Sequence, residues 1–168
     1  MKNVRTLTIT ALLTAFAIII PLYFGFLSIQ IPPFSATIAS HVPMFLSMLL
    51  GPMAAAFVGI GSALGFFATK GLVIGSRAAM HTFVGMLGAI LLKKGMSFRK
   101  VVAFTAPLHA GLEAIVVILL TRRIEFALIT VGVGTFIHHF IDGTISFALI
   151  KSLTKTGKTI FNEDKKVA

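Results

Sequence analysis

The stretch MKNVRTLTITALLTAFAIIIPLYFG, residues 1–25, decides how the chain has to be read. Its basic start, Lys2 and Arg5, runs into a long apolar segment, a layout shared by secretory signals and first membrane-spanning helices. A signal closes on a small-x-small cleavage site, whereas this segment closes on Ile18, Ile19, Ile20, Pro21, Leu22 and Tyr23. It is therefore read as a retained helix, and the rest of the chain has to supply its partners in a bilayer.

Composition agrees. Of the 168 residues 57% are apolar and 12% charged, and the mean hydropathy is +0.99, well outside the range of soluble domains. Glycine, proline and charge cut the chain into six apolar runs, roughly residues 7–23, 35–50, 53–68, 73–92, 101–120 and 126–150. Spanning helices need about 20 residues, so an all-α integral membrane protein is expected: a compact bundle of six transmembrane helices over residues 1–150 with a basic tail at 151–168. The second and third runs are the shortest.

An even helix count puts both termini on one side of the membrane. That side carries Lys2, Arg5, Lys93, Lys94, Arg99, Lys100, Lys151, Lys155, Lys158, Lys165 and Lys166, against Lys70, Arg77, Arg122 and Arg123 on the other. The excess predicts cytoplasmic termini in the cell membrane. It also accounts for most of the formal charge of +10, which leaves nucleic acid without a claim as partner. The absence of cysteine excludes disulfides and thiolate metal sites.

Other features are weaker. Thr154–Thr159, TKTGKT, imitates the end of a phosphate-binding loop, but Ser152 stands where the motif needs glycine, so no nucleotide motor is expected. The outer segment FGFLSIQIPPF, residues 24–34, has no charge; it is either a connection lying in the interface or a lid over an outward-facing pocket. Small residues four apart, Ala11 with Ala15, Ala55 with Gly59 and Gly61 with Gly65, let helix backbones approach closely in lipid. Gly61 and Gly65 suit contacts inside the bundle, while Ala11 and Ala15 suit a partner subunit equally well.

The strongest functional signal is titratable groups inside the last three runs. Arg77 and His81, His109 and Glu113, and His138 and Asp142 are each four apart and share a helix face, with His139 beside them. Charge in lipid is costly, so these residues should line a polar interior between the helices. Counted at about 1.5 Å per residue from the outer helix ends, Arg77 lies within a turn of the surface and Asp142 lies deepest, beyond ~20 Å. The expected substrate-binding residues are Arg77, His81, His109, Glu113, His138 and His139, with Asp142 orienting the histidines from below. Arg77 either snorkels to the headgroups or grips a carboxylate. Catalytic and metal-ligating residues are not expected, nor is a cofactor, because no H-E-x-x-H pair is present. An intramembrane metalloenzyme and a self-sufficient small carrier are the competing classes.

Six helices in fewer than 200 residues, the run Thr8-Ile9-Thr10-Ala11-Leu12-Leu13-Thr14-Ala15 and a long uncharged outer loop together resemble a substrate-binding S component of an energy-coupling factor vitamin transporter. The likeness covers about residues 1–150. It implies that Ala11 and Ala15 dock on a transmembrane T subunit, that two ATPase subunits supply the energy, and that a vitamin is captured from outside between the first outer loop and helices four to six. Metal-transporting relatives carry an N-terminal histidine ligand that Met1-Lys2-Asn3 lacks. The segment SATIASHVPMFLSMLLGPMAAAFVGIGSALGFF, residues 35–67, is most similar to the niacin branch; hydroxymethylpyrimidine, pyridoxine and pantothenate stay open as substrates. A flat anion such as nicotinate suits Arg77 with an aromatic face from Phe66, Phe67 or Tyr23.

Overall fold

A computed structural model describes residues 4–31 and 34–155. Most of the expected apolar runs become helices: α1 (Val4–Tyr23), α2 (Val42–Met48), α3 (Pro52–Lys93), α4 (Phe98–Thr121), a short α5 (Ile124–Phe126) and α6 (Gly134–Lys155). A π-helical stretch, Ala127–Val133, joins α5 to α6 without a break. Among the described residues four helices are long and apolar enough to cross a membrane, and the chain is a multi-pass membrane protein. α6 runs on to Lys155; the remainder of the basic tail, with Gly157 and Thr159, lies outside the described residues.

The 42-residue α3 would be about 63 Å long if straight, twice the hydrocarbon thickness. It is not straight: Gly71 has φ 79° and ψ −171°, a conformation open essentially to glycine alone. The chain turns there and folds back. Ser62 reaches His81 across the fold at 2.9 Å, and a Cβ on Gly59 would lie 2.5 Å from the backbone of Thr82. The two halves, residues 52–70 and 72–93, are thus an antiparallel pair of about 30 Å each, matching the third and fourth apolar runs.

The second apolar run is where expectation and structure part. Residues 35–50 do not form a spanning helix. They begin as strand β2 (Phe34–Thr37), turn, and continue as α2, whose seven residues reach only about 10 Å. The cause is local: Pro43 occupies the first turn of α2, where its fixed φ and missing N–H are tolerated, and so marks a helix start rather than a helix interior. The uncharged outer segment is structured too. After a 3₁₀ turn at Gly25–Leu27, β1 (Ser28–Ile31) pairs antiparallel with β2 from Ser28 opposite Thr37 to Ile31 opposite Phe34. β1 is mostly exposed, whereas Phe34, Ser35 and Thr37 of β2 are buried.

Packing follows membrane logic, with large apolar side chains such as Phe16, Leu64, Phe104, Leu119 and Ile137 exposed and polar ones buried. α1 lies against the first half of α3, where a Cβ on Gly61 would meet Thr14 at 2.6 Å and one on Gly65 would meet Ile18 and Pro21 at 2.8 Å. That glycine pair is therefore used inside the bundle, while Ala11 and Ala15 face outward. Three threonines of α1 are tolerated because the hydroxyl bonds a carbonyl one turn back: Thr8 to Val4, Thr10 to Thr6 and Thr14 to Thr10, at 2.7–3.0 Å.

Candidate functional site

α4 shows how the interior is layered. Val101 and Val102 belong to one apolar cluster with Phe45, Phe98 and Ile150; Ala114 and Val117 belong to another with Phe34, Ala127 and Val131. Between them α4 presents Thr105, His109 and Glu113, four residues apart on one face and all buried. A polar layer is thus sealed above and below by hydrocarbon. Every one of the chain's five histidines lies in it.

Glu113 is the centre. Its Oε2 accepts from Arg77 Nε at 3.0 Å, Arg77 Nη2 at 2.7 Å and Thr135 Oγ1 at 2.6 Å. Its Oε1 faces His109 Nε2 at 3.2 Å and His81 Nε2 at 3.8 Å. Arg77 is 3% exposed and points inward, its guanidinium 5.2 Å from the Phe34 ring centre and 3.5 Å from the Ser35 carbonyl. Snorkelling is thereby set aside for Arg77.

The histidines are held from behind. Ser62 Oγ sits 2.9 Å from His81 Nδ1. His109 Nδ1 and His139 Nδ1 face each other at 3.0 Å, and His139 Nε2 lies 3.1 Å from Thr105 Oγ1. Thr105 gives its own hydrogen to the Val101 carbonyl at 2.8 Å, so it accepts from His139 Nε2–H; for neutral rings, His139 Nδ1 then accepts from His109 Nδ1–H. The remaining nitrogen of His109, Nε2, approaches Glu113 Oε1 at 3.2 Å, outside hydrogen-bond geometry.

Asp142 does more than orient histidines. Its Oδ1 accepts from the Ala39 amide at 2.8 Å and its Oδ2 from the His41 amide at 2.9 Å, with His138 Nε2 at 3.1 Å and His41 Nδ1 at 3.3 Å from Oδ2. His138 Nε2 also reaches the Thr37 carbonyl at 3.1 Å. The segment between β2 and α2 is therefore fastened to α6. Ala39 is held there at φ 68°, a left-handed conformation that costs a non-glycine residue about 1–2 kcal/mol.

The residue that sequence reasoning missed is His41. It is 2% exposed, and its ring lies 4.7 Å from His81, 4.8 Å from His109 and 4.4 Å from His138. Its neighbour Pro43 carried the signal, since it marks the helix start that moves His41 out of a continuous apolar helix and into the turn at the site.

The structure brings Arg77, His81, His109, Glu113, His138 and His139 into this one layer, and leaves Ala11 and Ala15 on the outer face of α1. A cavity of about 20 Å³ opens among Ser35, His41, Phe66, Arg77, His81 and Glu113. His109 and His139 stand behind it. Of the three aromatic candidates only Phe66 lines it; Phe67 and Tyr23 are exposed. The hydroxyls of Ser35 and Thr37 and Nδ1 of His41 are buried without hydrogen-bond partners.

The chain is 35% identical to the niacin transporter NiaX of Lactococcus lactis subsp. cremoris (strain MG1363), an alignment covering 91% of this chain and 76% of that protein. No family model matches the chain, and no solved structure matches it either.

Proposed function

The chain belongs to the family of the niacin transporter NiaX, and we propose that it is the substrate-binding S component of an energy-coupling factor transporter, capturing niacin from outside the cell for ATP-driven uptake. The observation that carries this is the 35% identity across 91% of the chain, joined by the chemistry of the cavity. Arg77 offers a planar cation to a carboxylate. Phe66 offers an apolar face to a flat ring.

A cavity of 20 Å³ holds about one water-sized occupant, far less than a pyridine ring with a carboxylate. Niacin therefore enters only when part of the wall moves, and the wall that is not a spanning helix is β1, β2 and the turn at residues 38–41. In this reading the hairpin is the lid, lifted as Asp142 and His138 release residues 37–41 and closed again over the vitamin. Arg77, His81, Glu113 and His138, which line the cavity, then contact substrate directly, with His109 and His139 behind them. Transport is completed by a T subunit docked on the outward face of α1 at Ala11 and Ala15, and by two ATPase subunits.

Purified alone, the chain should bind niacin with submicromolar affinity. Preferential saturation by hydroxymethylpyrimidine, pyridoxine or pantothenate would reassign the substrate, and failure of the whole B-vitamin panel would overturn a vitamin-binding role. Pull-down from native membranes should recover the T and ATPase subunits; their consistent absence would leave a self-sufficient carrier.

A further inference from the structure

We infer that His41, His81, His109 and Glu113 form a binding site for one divalent transition-metal ion of the zinc class. One nitrogen from each imidazole and one oxygen of the carboxylate lie within 4.8 Å of one another, and all four residues are buried. In a tetrahedral site with bonds near 2.1 Å the ligand atoms stand about 3.4 Å apart. The separations from Glu113 Oε1, 3.2 Å to His109 Nε2 and 3.8 Å to His81 Nε2, bracket that value.

Two further observations fit a cation at the centre of the four. The first is that His109 Nε2 and His41 Nδ1 are buried without a partner in hydrogen-bond geometry, although Glu113 Oε1 lies 3.2 Å from His109 Nε2. A nitrogen so placed needs either its own proton or a cation shared with the carboxylate. The second is the division of labour at each residue. His81 is held through Nδ1 by Ser62, His109 through Nδ1 by His139, Glu113 through Oε2 by Arg77 and Thr135, and His41 through its amide by Asp142. In three of the four the atom turned away from the centre is the one that is bonded. Outer partners of this kind orient the ligands of protein metal sites, and three imidazoles with a carboxylate suit zinc and its neighbours.

The ion has a consequence for substrate, which rests on the niacin reading. With neutral imidazoles, Arg77 against Glu113 and Asp142 leaves the layer with a formal charge of about −1, unfavourable for a buried anion. A divalent ion brings the sum to about +1 and so matches a monoanionic vitamin. Because His41 comes from the lid segment and the other ligands from α3 and α4, the same ion ties the lid to the wall.

The test uses the full chain, purified without a polyhistidine tag, stripped with chelator and titrated with Zn²⁺ and, separately, with Co²⁺. About one ion per chain should bind, and Co²⁺ should show the visible absorption of a tetrahedral site. Ser62→Ala, which removes only the hydroxyl behind His81, should weaken binding by about 10–100-fold, and His109→Gln by more. His138→Gln, outside the four, should retain the ion. Each of three results would overturn the assignment: no stoichiometric ion in the wild type; equal retention by all variants, the mark of an adventitious ion; or loss in His138→Gln with retention in His109→Gln, which would locate the ion on His41, His138 and Asp142. Niacin affinity measured on stripped and loaded protein keeps the two proposals apart. Niacin binding by a wild type that takes up no stoichiometric ion overturns the metal site alone, and an ion without niacin binding overturns the niacin reading alone.

Discussion

Asp142→Asn is the sharpest probe of the proposed lid. The carboxylate accepts two backbone amides, Ala39 at 2.8 Å on one oxygen and His41 at 2.9 Å on the other. Asparagine keeps one acceptor and turns an NH₂ toward the second amide, so one charge-assisted bond is lost and one buried N–H is left without a partner. Each effect is worth about 1–3 kcal/mol, and because they concern the same amide they do not add in full. A net loss of about 3 kcal/mol favours opening of residues 37–41 by on the order of 100-fold. Hydrogen exchange followed by mass spectrometry on peptides covering residues 34–45 should show the Ala39 and His41 amides exchanging faster by about that factor, and niacin should dissociate faster from the variant. His138→Gln removes the Thr37 carbonyl contact but leaves both acceptor oxygens in place, and should speed exchange of these two amides by less than Asp142→Asn does. Wild-type protection in Asp142→Asn would mean that this carboxylate does not hold the segment closed.

Other perturbations separate stability from recognition. Arg77→Ala should abolish niacin binding and lower the unfolding temperature in detergent, since stranding a buried Glu113 costs about 3–5 kcal/mol. The double variant Arg77→Met/Glu113→Leu should regain much of that stability without regaining binding; equal losses in single and double variants would refute the pairing as the cause. Gly71→Ala should destabilise by about 1–3 kcal/mol through backbone conformation alone, because nothing lies within 4 Å of its added Cβ. An unchanged thermal midpoint would mean that the α3 turn does not need this conformation. Ala11→Leu with Ala15→Leu should leave niacin affinity intact yet prevent recovery of the T subunit, and co-purification at wild-type yield would remove α1 as the docking face.

How much of this was legible depended on whether a signal was carried by period or by a single residue. α1, α4 and α6 follow from uninterrupted hydropathy. The faces shared by His109 and Glu113 and by His138 and Asp142 follow from four-residue spacing, which any helix enforces. Residues 35–50 misled because a buried strand followed by a short helix is as apolar as a spanning helix, and hydropathy averages over the difference. The discriminating marks were local: the alternation through Phe34–Thr37 and the proline at position 43. Depth misled as well. Counting rise along each helix put Asp142 below any outer contact, but the β2–α2 segment descends into the bundle to meet it. Such a re-entry is a tertiary event with no period of its own.

That re-entry also explains why an aspartate is tolerated so deep. Irregular backbone survives at membrane depth only where protein satisfies its polar groups, and the turn at residues 38–41, between the end of the hairpin ladder and the start of α2, leaves the Ala39 and His41 amides without a backbone partner among the bonds of turn and hairpin. Asp142 and His138 take that part, accepting the Ala39 and His41 amides and reaching the Thr37 carbonyl. A continuous helix across residues 35–50 would have met every backbone group internally and needed no such partners. It would also have been unable to open without breaking several ladder bonds at once. The irregular segment is hydrogen-bonded to α6 at three points and carries a residue, Ala39, already displaced from its preferred backbone conformation, so releasing it from α6 costs a few kcal/mol rather than the unfolding of a helix. The polar groups that make the layer expensive in lipid are thus the same groups that would let the proposed lid open without unfolding a helix.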